Sequence, residues 1–238
     1  MNYPELIALR DRYNAKKAAM GALERENYER AFAIEYAHNS TAIEGNTLTL
    51  IEAKLVLEDG IAVGGKPLRE IYELTNHDKA YSYIIKTIAE GKPLTESITK
   101  DIHAILTENI LVGGVYRDVD VRITGAAHKP PPPSLMYTEI KAFFSDLPKM
   151  QERLNTVQLA AYTHAEFVKI HPFPDGNGRA SRLIMNYQLM RDAFPAIDIK
   201  AKDRLSYYNA LECYAVNGDI SPFEDMIAEV LEEKMRAF

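Results

Sequence analysis

The chain of 238 residues sets 28 Lys and Arg against 34 Asp and Glu, a net charge of −6, which excludes a general nucleic-acid binder because neutralising phosphates takes a basic face. One cysteine, Cys213, excludes an internal disulfide framework and a cysteine-rich zinc site, and fits a reducing compartment. Charges interrupt every long apolar run and the N-terminus has no apolar stretch of signal-peptide length, so the expected protein is cytoplasmic, spans no membrane and forms one cooperative body.

Residues 5–44 carry apolar positions at helical spacing, Leu6, Leu9 and Tyr13, then Phe32, Ile34, Tyr36 and Ala37, which predicts two helices, the second stopping at Gly45-Asn46. The apolar and aromatic positions along residues 6–36 serve either a homodimer face or packing on the core. Thr49 and Glu52 form a capping box that opens a helix toward Glu58, and Gly60 with the run GGKP closes it. Residues 67–90 and 95–110 are again helical, separated by the stop signal EGKP.

The stretch VDVRITG, 119–125, has period two instead: Val119, Val121 and Ile123 alternate with polar residues, and Gly125 offers a turn, which predicts a small hairpin on a helical body. KPPPPS, 129–134, reads as an extended connector. Helices over 134–147, 156–170, 177–193, 202–216 and 222–236 complete an all-α chain with one β-flap.

The run HPFPDGNGR, 171–179, concentrates unusual chemistry. Pro172 and Pro174 stiffen the loop after the helix ending near Ile170. Gly176 and Gly178 allow backbone conformations in which successive N–H groups converge on an anion, at the positive end of the next helix. Arg179 and Arg182, three apart on that helix, overlook the nest, while Ala180, Leu183, Ile184 and Tyr187 face the core. Asp175 at the rim can give one hard oxygen to a divalent ion whose other ligands are phosphate and water, so the natural guest is a magnesium nucleotide. His171 has an ordinary pKa of about 6.5, suited to taking a proton from a hydroxyl near neutral pH. The run is not a Walker A loop, since it lacks GxxxxGK(S/T).

HPFPDGNGRASR, 171–182, resembles the Fic motif HxFx(D/E)GNGRxxR and matches it at every fixed position. GGVYR, 113–117, and the following VRITGAAHKPPPP resemble the segment that leads into and forms the Fic target-binding flap, and NSTAIEGNTLT, 39–49, resembles the inhibitory signature (S/T)xxxE(G/N). The resemblance implies a single-domain Fic-type helical bundle, with residues 1–64 carrying the inhibitory motif and 65–238 the catalytic core. It implies transfer of AMP from the substrate ATP, with Mg²⁺ as cofactor, to a Tyr, Thr or Ser hydroxyl of an unidentified target protein, or of the chain itself, releasing pyrophosphate. On this footing His171 is the general base, Asp175 the Mg²⁺ ligand, Gly176, Asn177 and Gly178 the phosphate nest, and Arg179 and Arg182 the clamp on the outer phosphates. YYNALECYAVNGD, 207–219, resembles the adenine-pocket region and implies contacts from Tyr207, Tyr208 and Asn217.

The flap, 119–131, with Ile123, Thr124 and Gly125, would take an extended target segment by strand addition. Ile123 either clamps the acceptor side chain or packs on the body. Ser40 and Glu44 share a helix face and Gly45 ends that helix, which leaves a carboxylate in a last turn where the macrodipole disfavours it unless a cation meets it. Family precedent makes Arg182 that cation, and Glu44 an autoinhibitory residue in cis. Two alternatives stay open: a hydrolase that removes AMP from a modified protein, with Glu44 positioning water, and a non-catalytic, nucleotide-responsive binding module.

Overall fold

The computed structural model describes residues 2–123 and 125–238. Its helices are α1 (Tyr3–Ala19), α2 (Ala22–Ala42), α3 (Leu50–Glu58), α4 (Leu68–Ala89), α5 (Glu96–Leu106), α6 (Pro133–Arg153), α7 (Thr156–Ile170), α8 (Asn177–Arg191), α9 (Arg204–Asn217) and α10 (Ser221–Ala237), with a short 3₁₀ turn at Ala201–Asp203. Capping boxes set two of the starts, the first of them read from the sequence. Thr49 accepts from the Glu52 N–H at 3.2 Å while the Glu52 carboxylate accepts from the Thr49 N–H at 2.7 Å, and Asn155 and Gln158 repeat the device at α7.

Helices α7 and α8 lie between two hydrophobic clusters. On one side α4, α5 and α6 bring Ile84, Ile102, Ile140 and Phe143 against Phe167, Leu183 and Ile184. On the other, Leu6 and Leu9 of α1, Tyr207 of α9, and Phe223 and Ile227 of α10 pack on Val157, Met185 and Leu189. Core packing therefore accounts for Leu6, Leu9, Tyr13, Ile34 and Tyr36, all buried. Every residue of α8 from 179 to 189 is buried, which is why its polar side chains must find partners inside the protein. Asn186 does so by exchanging two 2.8 Å bonds with the main chain of Ile197.

Two helix ends differ from the periodic reading. Helix α5 stops at Leu106, where the Thr107 hydroxyl turns back to the His103 carbonyl and Asn109 takes a left-handed φ of 62°. Helix α6 runs on through Pro148 to Arg153, because the lost N–H bond is one of many and buried Leu147 and core-facing Met150 hold the turns on either side.

The expected hairpin is corrected: among the described residues there is no strand. Residues 119–123 and 125–131 run as irregular chain with one turn, Ala126 N–H to Ile123 carbonyl at 3.2 Å. The alternation of Val119, Val121 and Ile123 supplies a pattern without a partner, since the return arm is the proline run 130–133, which has no N–H to donate to a ladder. Val119 is 57% exposed, and Thr124 lies outside the described residues. No helix among the described residues is long and apolar enough to cross a membrane.

Close approach explains one glycine. A Cβ at Gly113 would stand 2.4 Å from Ala104 Cα and 2.4 Å from Thr107 Oγ1. Gly113→Ala should therefore lower the unfolding free energy by about 1–3 kcal/mol, the cost of overpacking, read from chemical denaturation.

Candidate active site

The motif loop is built around a left-handed exit from α7 and a left-handed entry to α8, with φ 52° at His171 and 73° at Gly176. A non-glycine residue at positive φ is held there by its surroundings. The His171 N–H donates to the Phe167 carbonyl at 3.0 Å, and buried Asn177 pins the loop by accepting from the Phe173 N–H at 2.9 Å and donating to the Phe173 carbonyl at 2.8 Å. The Asn177 side chain is thus spent on the loop, and what it can offer a ligand is its backbone N–H. No side chain caps α8, which leaves its first-turn N–H groups pointing outward at the positive end of the helix.

Over that end sits Glu44. Its Oε2 accepts from Arg179 Nε at 2.8 Å and its Oε1 from an Arg182 terminal nitrogen at 2.8 Å. A Cβ on Gly178 would come within 2.4 Å of Glu44 Oε1, so glycine is needed for the carboxylate to reach this position. Arg182 also donates to the Ser40 hydroxyl at 2.9 Å, the Ser40 carbonyl at 2.6 Å and the Tyr207 hydroxyl at 3.3 Å. Burial opposes its charge, but Tyr207 and Glu44 more than offset that and hold the guanidinium protonated above its ordinary value.

Glu44 lies just past the end of α2 rather than in its last turn, its N–H bonded to Thr41 O at 3.0 Å. Gly45 follows at φ 101°, and Asn46 ties the chain to α4 through the Glu70 carbonyl at 2.9 Å and the Glu73 carboxylate at 3.2 Å. The sequence reading placed Glu44 on Arg182; the structure adds Arg179 to the same carboxylate.

Asp175 Oδ1 accepts from the Gly176 N–H at 2.6 Å and faces an Arg179 nitrogen at 3.5 Å, while Oδ2 meets the guanidinium of Arg69. Burial disfavours its ionised form, yet Arg179, the Gly176 N–H and Arg69 together hold the carboxyl below the usual range. His171 Nδ1 lies 3.2 Å from the Val168 carbonyl. A carbonyl only accepts, so Nδ1 carries the proton and Nε2 keeps its lone pair. Burial, opposed by the Val168 carbonyl and aided by Arg117, lowers the imidazole pKa, so the ring is neutral at pH 7.

The remaining predicted residues scatter. Tyr207 is buried under Arg182 and bonds His164 Nε2 at 2.9 Å, so it supports the arginine from below. Tyr208 is 45% exposed and donates to the Ile43 carbonyl at 3.0 Å, next to Glu44. Asn217 closes α9, exposed, with Cys213 Sγ at 3.9 Å. Half-buried Ile123 and exposed Gly125 sit on the irregular flap segment.

Two positioning residues escaped the sequence reading. Buried His103 on α5 stacks on Phe173 at 3.6 Å and 5°, accepts from the Gly114 N–H at 2.9 Å on Nδ1, and so donates from Nε2 to the Asp175 carbonyl at 2.9 Å. Burial pushes its pKa down to about 4, outweighing the Asp175 carbonyl, and keeps it neutral. Buried Arg117 donates to the carbonyls of His171 and Val119 at 2.8 Å each and to that of Pro131, stapling both ends of the flap to the motif loop. A lone histidine on a helix gives no signal in a sequence, and neither does a single arginine within GGVYR.

Residues 93–189 match the Fic/DOC family model. Those residues, which include the motif loop, form a Fic domain. The chain is similar to the protein adenylyltransferase Fic of Drosophila grimshawi, 36% identical over 229 residues that cover 95% of this chain and 46% of that protein. The protein of the same name from Nematostella vectensis is 38% identical over 212 residues, 86% of this chain and 48% of that one. The chain thus spans about half the length of the curated relatives it matches. A solved Fic domain containing signaling protein from Bacteroides thetaiotaomicron has the same fold, with a TM-score of 0.87 at 26% identity over 97% of this chain and 95% of that one.

His103→Phe keeps a flat ring against Phe173 but removes both hydrogen bonds. It should cost about 1–3 kcal/mol per stranded group in denaturant unfolding, since the Gly114 N–H and Asp175 carbonyl lose their partner.

Proposed function

We propose that the chain transfers AMP from ATP to a hydroxyl of a protein side chain and that Glu44 holds it at rest. The observation that carries this reading is the Glu44 carboxylate bound to Arg179 and Arg182 across Gly178, an anion from the chain itself in the anion site of the Fic motif. Removal of that carboxylate leaves two buried guanidinium groups and the first-turn N–H groups of α8 facing the same space, a site suited to the outer phosphates of a nucleotide.

In this mechanism the phosphates lie on the α8 N-terminus, with Arg179 and Arg182 stabilising charge on the departing pyrophosphate. The acceptor hydroxyl attacks the α-phosphorus, the bond to the α,β-bridging oxygen breaks, and the hydroxyl proton passes to His171 Nε2. Arg117, through its bond to the His171 carbonyl, and the Val168 carbonyl fix the ring so that this lone pair faces outward. Among the described residues no cluster of three or more His, Cys, Asp or Glu side chains could hold a metal alone. The donor set nevertheless fits magnesium, which takes one or two carboxylates with phosphate and water oxygens, and Asp175 is that carboxylate. When bound, the ion would neutralise phosphate charge.

The target would lie along residues 119–131: Glu212 takes the Ala127 and His128 N–H groups and Arg117 the Val119 and Pro131 carbonyls, while no ladder among the described residues engages the main chain of residues 120–122, which an incoming extended segment could pair with. Both Glu44 oxygens are engaged by arginine, which favours a brake over activation of water for AMP removal. A free Nε2 on His171 favours catalysis over a passive binding module.

Incubation with α-labelled ATP and Mg²⁺ should leave covalent label on protein, and Glu44→Gly should raise it by roughly 10- to 100-fold, the scale of charge-assisted hydrogen bonds no longer competing. Adding His171→Ala to that variant should cut the rate by about 10²- to 10⁴-fold with ATP binding retained. Equal labelling by wild type and Glu44→Gly would remove the brake. The lowered His171 pKa fixes a sign for pH: the Glu44→Gly rate should rise with pH through a midpoint below about 6.5 and be flat near neutrality. A midpoint above that value would contradict His171 as the base.

A further inference from the structure

We infer that Arg69, which the Fic motif does not contain, is the resident counter-ion of Asp175 and that a divalent cation must displace it, so that Arg69 sets how tightly the metal-nucleotide complex is held. The inference rests on the proposed role of Asp175 as metal ligand. It starts from the two oxygens of that carboxylate. Oδ1 is turned inward, taken by the Gly176 N–H and the flank of Arg179. Oδ2 is left for an outside partner, and the partner it has is the Arg69 guanidinium.

Arg69 differs from the two motif arginines in freedom. Their side chains are 2% exposed and that of Arg69 is 57% exposed. It stands in the first turn of α4, where the helix dipole disfavours a cation, so acidic partners must hold it: Asp175 on one side and Glu73, at 3.0 Å from Arg69 Nε, on the other. Glu73 faces Arg179 as well, 3.8 Å from a terminal nitrogen. If a cation took Oδ2, Arg69 would keep Glu73 and water, so leaving Asp175 costs it little. A guanidinium and a divalent ion brought to one carboxylate oxygen repel each other, and the doubly charged ion wins when phosphate oxygens complete its shell. Arg69 thus keeps Asp175 neutralised until a nucleotide brings the metal in.

The test compares the Kd of a fluorescent, non-hydrolysable ATP analogue in saturating Mg²⁺ and in excess EDTA, for wild type, Arg69→Gln and Asp175→Asn. Arg69→Gln should tighten the magnesium arm by about fivefold, the scale of one half-exposed ion pair, and leave the EDTA arm unchanged or weaker. Asp175→Asn should shrink the difference between the arms. If Asp175→Asn shrinks it and Arg69→Gln leaves the magnesium arm unchanged or weaker, the inference about Arg69 is overturned while the role of Asp175 stands. If Asp175→Asn keeps the full difference, Asp175 is not the metal ligand and the inference goes with it.

Discussion

Two guanidinium groups buried on the central helix of the bundle dictate much of what surrounds them. Arg179 and Arg182 cannot stay charged in the interior without an anion, and Glu44 meets both at 2.8 Å. The same contact explains the glycine at 178, the Ser40 hydroxyl and carbonyl turned toward Arg182, and the position of Tyr207 beneath it. The segment that carries Glu44 and the anion site are therefore one electrostatic unit with two candidate occupants, a carboxylate from the chain or a phosphate from outside. The proposed brake would be built from the very groups it blocks, since whatever fills the site satisfies the same buried cations.

The rest of the site serves to hold a loop in a conformation it would not adopt alone. His171 sits at a left-handed φ, and Asn177, His103 and Arg117 each tie a different part of the loop to a different element: α8 itself, α5 and the flap. His103 and Arg117 contact the motif through carbonyl oxygens, so they act on geometry. The neutrality of His171 follows from the burial of its ring, against the pull of the Val168 carbonyl, and the ionised state of Asp175 from its place between arginines.

Helical periodicity, the Thr49–Glu52 capping box and the stop signals were enough to read the helices, though not the ends of α5 and α6, because amphipathic spacing and cap chemistry are local. The anion site was legible for a similar reason: HPFPDGNGRASR is contiguous, and helix geometry carries Arg179 and Arg182 to one side. The flap was misread since alternation reports which residues would face which side of a strand, not whether a partner exists, and the proline run removes the partner. Of the residues that the resemblance implies as adenine contacts, Tyr207 is buried under the arginine and Asn217 stands at the end of α9. His103, Glu73 and Arg69 reach the motif only across the fold, so nothing near them in the chain marks that contact.

The claim that Glu44 and the outer phosphates compete for Arg179 and Arg182 is tested most directly by equilibrium binding of ATP and AMP to wild type and Glu44→Gly. The account predicts that the variant binds ATP about tenfold or more tightly, the scale of charge-assisted hydrogen bonds, with AMP affinity unchanged because AMP has no outer phosphates. Unchanged ATP affinity, or an equal gain for AMP, would contradict it.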